Sequence, residues 1–570
     1  MAPPIPVTDA DLTAAGMKLL FNDPRFSVTE AEYRGNTYRT FANAPSSVAG
    51  LFAYGAATHG DKICLTFQDE RYSFKEMWSR ACRFANALRS ELGVQPGDRV
   101  ALAMRNFPEW CFAYMGTIAA GAVVVPLNAW WRSDELKFAL DDCGAKIVIA
   151  DDRRLDYIRP FKEPLGLRII LARAEDPDAD YLFGELVDHE QSDDLPEVNG
   201  EPDDDFCIVY TSGSTGAPKG VVLTHLGCVS AIFSWAFVAT ALKEARGGVS
   251  PFGDDPGILL GVPLFHVTGS HSIFMLSYLV GRRVAMMYKW DAKEAVDIIN
   301  RERLTNFVGV PTQSFELIDA AGKEGMPTLL DIGSGGAKRP AKHVRELAET
   351  FEHARPSSGY GLSETNAMGC VISLQQYQDR PDSTGKPVPP LTDIKIVGED
   401  GEEAPRGDVG EIWIRSIANF REYLNRPDET AKSLTPEGWF KTGDLGKMDS
   451  EDYVYIVDRV KDLIIRGGEN ISCLEVENRA YAHADVAEAT VFSVPCERLG
   501  EVVGLVFYPK DGASLDAQTL RDFMAEDLAG FKVPERIWVS PQALPRLGTA
   551  KVDKITVRKI ALTQPPHFSV

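Results

Sequence analysis

The eleven residues from Tyr210 to Gly220 read YTSGSTGAPKG and follow directly on the apolar run Phe206–Tyr210. Gly213 and Gly216 let the backbone turn tightly enough to aim several N–H groups at one anion. Thr211, Ser212, Ser214 and Thr215 add hydroxyl donors, and Lys219 adds a point charge suited to a phosphate. In chemical terms this is a cradle for a triphosphate. It is not a Walker A loop, which needs glycine just before the lysine and Ser or Thr just after it. Pro218 and Gly220 stand there instead, which disfavours P-loop ATPases and kinases.

Two later runs offer complementary chemistry. In GYGLSET, Gly359 to Thr365, Tyr360 lies between Gly359 and Gly361, where its ring could present an open face to a purine. Glu364 supplies a hard oxygen for Mg²⁺, the usual companion of a triphosphate. In GWFKTGD, Gly438 to Asp444, a tight glycine turn delivers a carboxylate able to accept from both hydroxyls of a ribose.

The elements that position these runs follow from the alternation of β-branched and helical stretches. Arg99–Met104, Pro108–Ala120, Ala122–Pro126, Ser133–Cys143 and Lys146–Ala150 alternate strand and helix. That spacing predicts an α/β fold with parallel sheets covered by helices. At 570 residues the chain exceeds a single core, so at least two domains are expected. Acidic, turn-rich residues from Glu175 to Asp205 suggest one break. A second lies at Asp458–Asp462, between the apolar strands Tyr453–Val457 and Leu463–Ile465. Pattern alone suits a hairpin turn there, yet the tail of about 110 residues is long enough to be a domain. We place a hinge at that point, giving domains at 1–458 and 459–570.

The loop at 210–220 resembles the signature of the AMP-forming acyl-CoA synthetase superfamily, and matching motifs recur in order from residue 210 to 551. The region Asp98–Asn128 is also similar to the family's N-terminal part. The resemblance implies a large N-terminal domain of helix-covered sheets with a distorted barrel, followed by a small mobile α+β domain. It implies that Tyr360 stacks adenine, Glu364 and Thr215 serve Mg²⁺, and Thr365 contacts the α-phosphate. Asp444 would hold the ribose hydroxyls with help from Arg459, and Gly335-Gly336-Ala337 would lie along the adenine. In ALPRLGTAKVDK, Lys551 matches the family's lysine that bridges the substrate carboxylate and the α-phosphate. The family has proline where this chain has Lys338, and Thr-Gly-Lys where it has Thr549-Ala550-Lys551.

The implied reaction has two steps. A carboxylate attacks the α-phosphorus of MgATP and releases pyrophosphate; a thiol, that of coenzyme A, then attacks the acyl-adenylate and AMP leaves. Because two anions meet in the first step, positioning and charge neutralisation dominate its catalysis. The second step needs a different geometry, which the family obtains by rotating the C-terminal domain about a residue matched by Lys461. Gly467 and Gly468 would line the pantetheine channel.

The acid is less constrained. In PLFHVTG, Pro263 to Gly269, where the resemblance implies an aspartate in amino-acid-activating relatives, no carboxylate is present, which argues against an amino-acid substrate; resemblance to CoA ligases implies an acyl-pocket or gating role for His266. Phe265, His266, Val310, Gly333, Gly335, Gly361 and Met368 are the expected wall, its glycines leaving space for a chain or ring. A medium- or long-chain fatty acid is the expected substrate, with an aryl or arylalkyl acid, or transfer to a separate carrier protein, as alternatives.

Bulk properties remove other classes. The net charge of −22 is spread along the chain and disfavours nucleic-acid binding through a basic face. Nine cysteines without CxxC or zinc-ligand spacing fit reduced thiols in a cytoplasmic protein. The N-terminus lacks a signal-peptide pattern, and the C-terminal Phe568-Ser569-Val570 is not a peroxisomal address. The uncharged run near Trp110–Trp131 is broken by Gly121, Pro126 and Asn128, which predicts a buried helix–strand pair rather than a membrane span. A homodimer is left open.

Overall fold

The computed structural model describes residues 7–190, 192–198, 200–211, 218–250, 252–322, 325–351, 354–547 and 551–569. Two large sheets dominate. One has eight strands, in the order Glu422–Tyr423, Lys219–Thr224, Asp205–Thr211, Val123–Pro126, Arg99–Ala103, Ile147–Ala150, Arg168–Leu171 and Tyr181–Leu182. Its inner strands Val123–Pro126 and Ile147–Ala150 are buried at every residue, as parallel strands covered on both faces must be.

The second sheet has nine strands, and Ile63–Phe67, Arg283–Met286, Gly257–Leu260, Asn306–Gly309, Asp331–Gly335 and Arg355–Gly361 run parallel within it. Parallel strands end on one edge, so the segments carrying His266, Val310, Gly336 and Gly361 all emerge on the same side. That edge is where open α/β sheets place their ligands. A further layer is an open sheet of four antiparallel strands, Asp393–Val397, Gly410–Arg415, Trp439–Met448 and Val454–Arg459. A bridge between Gly385 and Val454 ties it to the nine-stranded sheet.

After Arg459 the chain enters another sheet, containing Ile464–Arg466, Glu469–Ile471, Val486–Cys496, Gly500–Pro509, Arg536–Val539 and Phe568–Ser569. Helices Cys473–Tyr481 and Ala517–Ala525 cover it, and Val476, Leu505, Phe507, Leu520 and Ile537 form a core of its own. Val454–Arg459 and Ile464–Arg466 belong to different sheets, so the polar run between them is a crossing and not a hairpin turn.

The acidic stretch after Glu175 differs from its reading as a break. It holds the edge strand Tyr181–Leu182 and the helix Phe183–His189, whose Phe183, Leu186 and Val187 are buried in the main core. Three apolar residues on one helical face outweigh the acidic composition around them.

The apolar run near Trp110 forms the buried helix Pro108–Ala119 and the strand Val123–Pro126. A different helix, His225–Ala245, is the one among the described residues long and apolar enough to cross a membrane. Two-thirds of its apolar stretch is buried in this fold, as in a core helix. Eight of the nine cysteines are buried, and Cys496 alone is partly exposed.

Candidate active site

The strand Arg355–Gly361 organises the site, because alternate side chains leave a strand on opposite faces. Tyr360 points to one side and Gly359 and Gly361 to the other. On the Tyr360 side the ring packs with Ile396, Ile412, Ile414 and Met448 under the antiparallel sheet, and its hydroxyl donates to Asp444 Oδ2 at 2.7 Å. The ring is therefore mostly buried, which corrects the expectation of a wholly open face. The antiparallel sheet, far off in sequence, covers it.

Asp444 stands directly opposite Arg459 in the antiparallel register, and Arg459 Nε meets Asp444 Oδ1 at 2.9 Å. The Asp444 carboxylate, with burial opposing it, holds the Arg459 guanidinium above its ordinary value. The structure thus brings Tyr360, Asp444 and Arg459 into one hydrogen-bonded group.

Glu364 is in the short 3₁₀ turn Ser363–Thr365. Its Oε1 accepts from the Tyr423 hydroxyl at 2.8 Å, and burial raises its carboxyl above the usual range. A buried carboxylate with its charge so poorly matched suits a cation. Among the described residues no cluster of three or more His, Cys, Asp or Glu is present. A divalent ion here would rest on Glu364, with phosphate and water oxygens completing its shell. Thr215, the other expected metal residue, lies outside the described residues, as do Ser212, Gly213, Ser214 and Gly216. Thr365 is fully buried, and its hydroxyl is used within the turn, accepting from the Leu362 N–H at 3.1 Å.

Thr211 pairs with Lys219 at the open end of the antiparallel strands that flank the loop. Lys219 forms an ion pair with Glu429 and sits 5.2 Å from the centre of the Tyr423 ring. Burial and then the nearby Lys461 ammonium lower the Lys219 pKa. Tyr423 and Glu429 are functional candidates that sequence reasoning missed.

Lys551 reaches this group from the C-terminal lobe. A Cβ placed on Gly336 would sit 3.4 Å from Lys551 Nζ, and the positive φ of +76° at Gly336 also favours glycine. Burial and then Arg459 push the Lys551 ammonium down to about 8, against the opposing Asp444 carboxylate. His266 is within electrostatic reach of Lys551. Burial and that positive charge push its imidazole down to about 3, and Nε2 is buried with no hydrogen-bond partner in the structure. Its ring lies 4.3 Å from that of Phe265.

The wall on the glycine side needs one revision. A Cβ at Gly361 would lie 2.4 Å from the Ala367 backbone, and one at Gly333 2.8 Å from Val308 Cγ2. Glycine at these two positions permits close packing and does not open space. At Gly335 and Gly359 a Cβ would make ordinary van der Waals contact, with the Gly359 carbonyl at 3.5 Å and with Trp235 Cη2 at 3.4 Å respectively. Trp235, another residue missed in the sequence, comes from the long helix His225–Ala245. Val310 and Phe265 are nearly buried, and Met368 is completely buried within the main core.

Lys338, where the family has proline, donates to the Ile456 carbonyl at 2.9 Å and so ties the glycine loop to the antiparallel sheet. The neighbouring Ala337 follows Gly336 in that loop. In the C-terminal lobe, Gly467 and Gly468 both have positive φ, +60° and +94°, in the turn between Ile464–Arg466 and Glu469–Ile471. Nothing lies within 4 Å of a Cβ on Gly468.

Comparison with known proteins identifies the family. Residues 52–424 match the family described as AMP-binding enzyme, and 475–551 match the AMP-binding enzyme C-terminal domain. The chain belongs to the AMP-binding enzyme family. Feruloyl-CoA synthase of Amycolatopsis sp is 32% identical over 492 residues, covering 85% of this chain and 93% of that protein. The long-chain-fatty-acid–CoA ligase FadD13 of Mycobacterium tuberculosis is 32% identical over 502 residues, covering 86% and 93%. ATP-bound MatB from Rhodopseudomonas palustris superposes with a TM-score of 0.79 at 29% identity, covering 90% of this chain and 98% of that one. This AMP-binding enzyme is an AMP-forming acyl-CoA ligase. ATP and coenzyme A are its cosubstrates, and Mg²⁺ is general to the family.

Proposed function

We propose that this ligase activates an apolar monocarboxylic acid, foremost a medium- or long-chain fatty acid. Lys551 neutralises the carboxylate and the α-phosphate as they meet. Asp444 and Arg459 hold the ribose, Tyr360 borders the adenine, and Glu364 with Thr215 holds the cation, which supplies charge neutralisation at the phosphates. The observation that carries the reading is the position of Lys551, next to Gly336 and within electrostatic reach of both Asp444 and His266. An amine so placed lies between a nucleotide on the Tyr360 side and an acid on the glycine side of one strand.

In this reading residues 1–458 form the adenylation domain and 459–570 the mobile domain, with Lys461 as the hinge. After adenylation the lobe turns, Lys551 withdraws, and the Gly467–Gly468 turn admits the CoA thiol to the acyl carbonyl. The thiol sulfur forms the new bond to carbon, AMP leaves with the electron pair, and the thiol proton passes to solvent.

A second reading, an aryl acid, is favoured by Trp235, whose indole comes within contact distance of the Gly359 position. Release of AMP and pyrophosphate across matched fatty and cinnamic-type acids, with and without CoA, separates the two. Higher kcat/KM for C8–C16 acids than for aryl acids is the expected result. A preference for aryl acids would transfer the assignment to the second reading, and turnover with none of them would overturn both.

A further inference from the structure

Among the described residues, one polar contact between the lysine lobe and the large domain is shared with a second partner. Arg546 Nη2 meets Glu316 Oε1 of the large domain at 3.0 Å and also pairs with Glu488 of its own lobe. Arg546 belongs to the hairpin that carries Lys551. Arg546 and Val552 form an antiparallel bridge, the Leu547 N–H donates to the Lys551 carbonyl at 2.8 Å, and the Asp553 N–H donates to the Pro545 carbonyl at 2.8 Å. Fixing Arg546 therefore fixes the base of the segment from which the catalytic amine projects.

Each half of this contact keeps a partner when the two separate. Glu488, which also accepts from the Leu544 N–H at 2.6 Å, stays with Arg546 in the small lobe. Glu316 Oε2 accepts from the Trp290 indole at 2.6 Å within the large domain. Separation thus strands no buried charge, and the heavy cost of breaking a buried pair does not arise. Both side chains are partly exposed, 24% for Arg546 and 37% for Glu316, so the contact is weak enough to release.

From this geometry we infer that Arg546 and Glu316 form a releasable catch that positions Lys551 for adenylation and opens for thioester formation. Arg546 is a positioning residue, and the inference rests on the two-step reading proposed above. Neighbouring contacts in the same seam, the His343 and Tyr481 rings at 5.9 Å and Lys510 over Phe315 at 5.9 Å, carry no paired charges and add orientation without a lock.

The test uses the full-length enzyme with Glu316→Gln, which leaves the small lobe intact. Acid-dependent ATP–pyrophosphate exchange should fall about fivefold, the scale of a partly exposed charge pair, while thioester formation from synthetic acyl-adenylate and CoA stays equal or rises. Pairing Glu316→Arg with Arg546→Glu should restore part of the exchange rate. Unchanged exchange, or equal loss in both half-reactions, overturns the catch. Amide hydrogen exchange gives a readout independent of activity: residues 341–351 should exchange faster in Glu316→Gln than in the unaltered protein, and equal protection also overturns it. Failure of the unaltered enzyme to exchange pyrophosphate with any acid would instead strike at the proposed function.

Discussion

Asp444 and Lys551 are assigned to one site by the reading proposed above but are held in contrasting ways. Asp444 is built into a ten-residue strand, faces Arg459 by register, and receives the Tyr360 hydroxyl from a second sheet. Lys551 extends from a short hairpin in a separate lobe, and the hairpin's base meets the large domain at a partly exposed ion pair. In the proposed reading the nucleotide seat is thus determined by paired backbone, whereas the lysine is a group that can be presented and removed. A rigid seat suits a ligand that stays through both half-reactions; a removable cation suits a charge needed in only one.

The strongest way to break this comparison is Lys551→Ala. Pyrophosphate exchange should fall by about 10²–10³, as for loss of a charge-stabilising donor, while thioester formation from pre-made adenylate changes little. Equal loss in both assays would make Lys551 part of the permanent seat. Asp444→Asn should instead impair both half-reactions, raising the KM for ATP about tenfold, because charge-assisted bonds to the ribose and to Arg459 are weakened together. Measuring adenylate affinity by isothermal titration shows whether that loss persists in the second step.

The pH profile sharpens the contrast. The Lys551 ammonium is charged below about pH 8 and loses its proton above it. The kcat/KM for exchange, which reports ionisations of the free enzyme, should therefore fall above pH 8 by up to about tenfold per unit, and Lys551→Arg should flatten that limb. The smallest effect belongs to Glu429→Gln. Releasing Lys219 from its carboxylate should lower the KM for ATP about twofold, and a rise would mean that Glu429 orients the lysine for phosphate.

Contiguous features are the ones legible in the sequence. The Tyr210–Gly220 order, the GYGLSET and GWFKTGD runs and Lys551 announce themselves locally, and the strand–helix alternation announces the α/β sheets. What distant elements impose is not legible in this way. Tyr423 reaches Glu364 because its edge strand pairs Val221 with Tyr423, a long-range pairing with no local signature. Trp235 sits in a mostly apolar helix where no charged residue between His225 and Lys243 marks the face toward Gly359. The glycines divide similarly: a glycine in sequence does not reveal whether a Cβ would meet only an ordinary side-chain contact, as at Gly359, or collide with another stretch of backbone, as at Gly361.

The buried cysteines have a chemical consequence of their own. A protein that manufactures a mixed anhydride holds an acylating agent within its own walls. Burial keeps thiols such as Cys111, Cys207, Cys228 and Cys370 protonated and out of reach, so they do not compete as nucleophiles. For these thiols self-modification is suppressed by the packing itself.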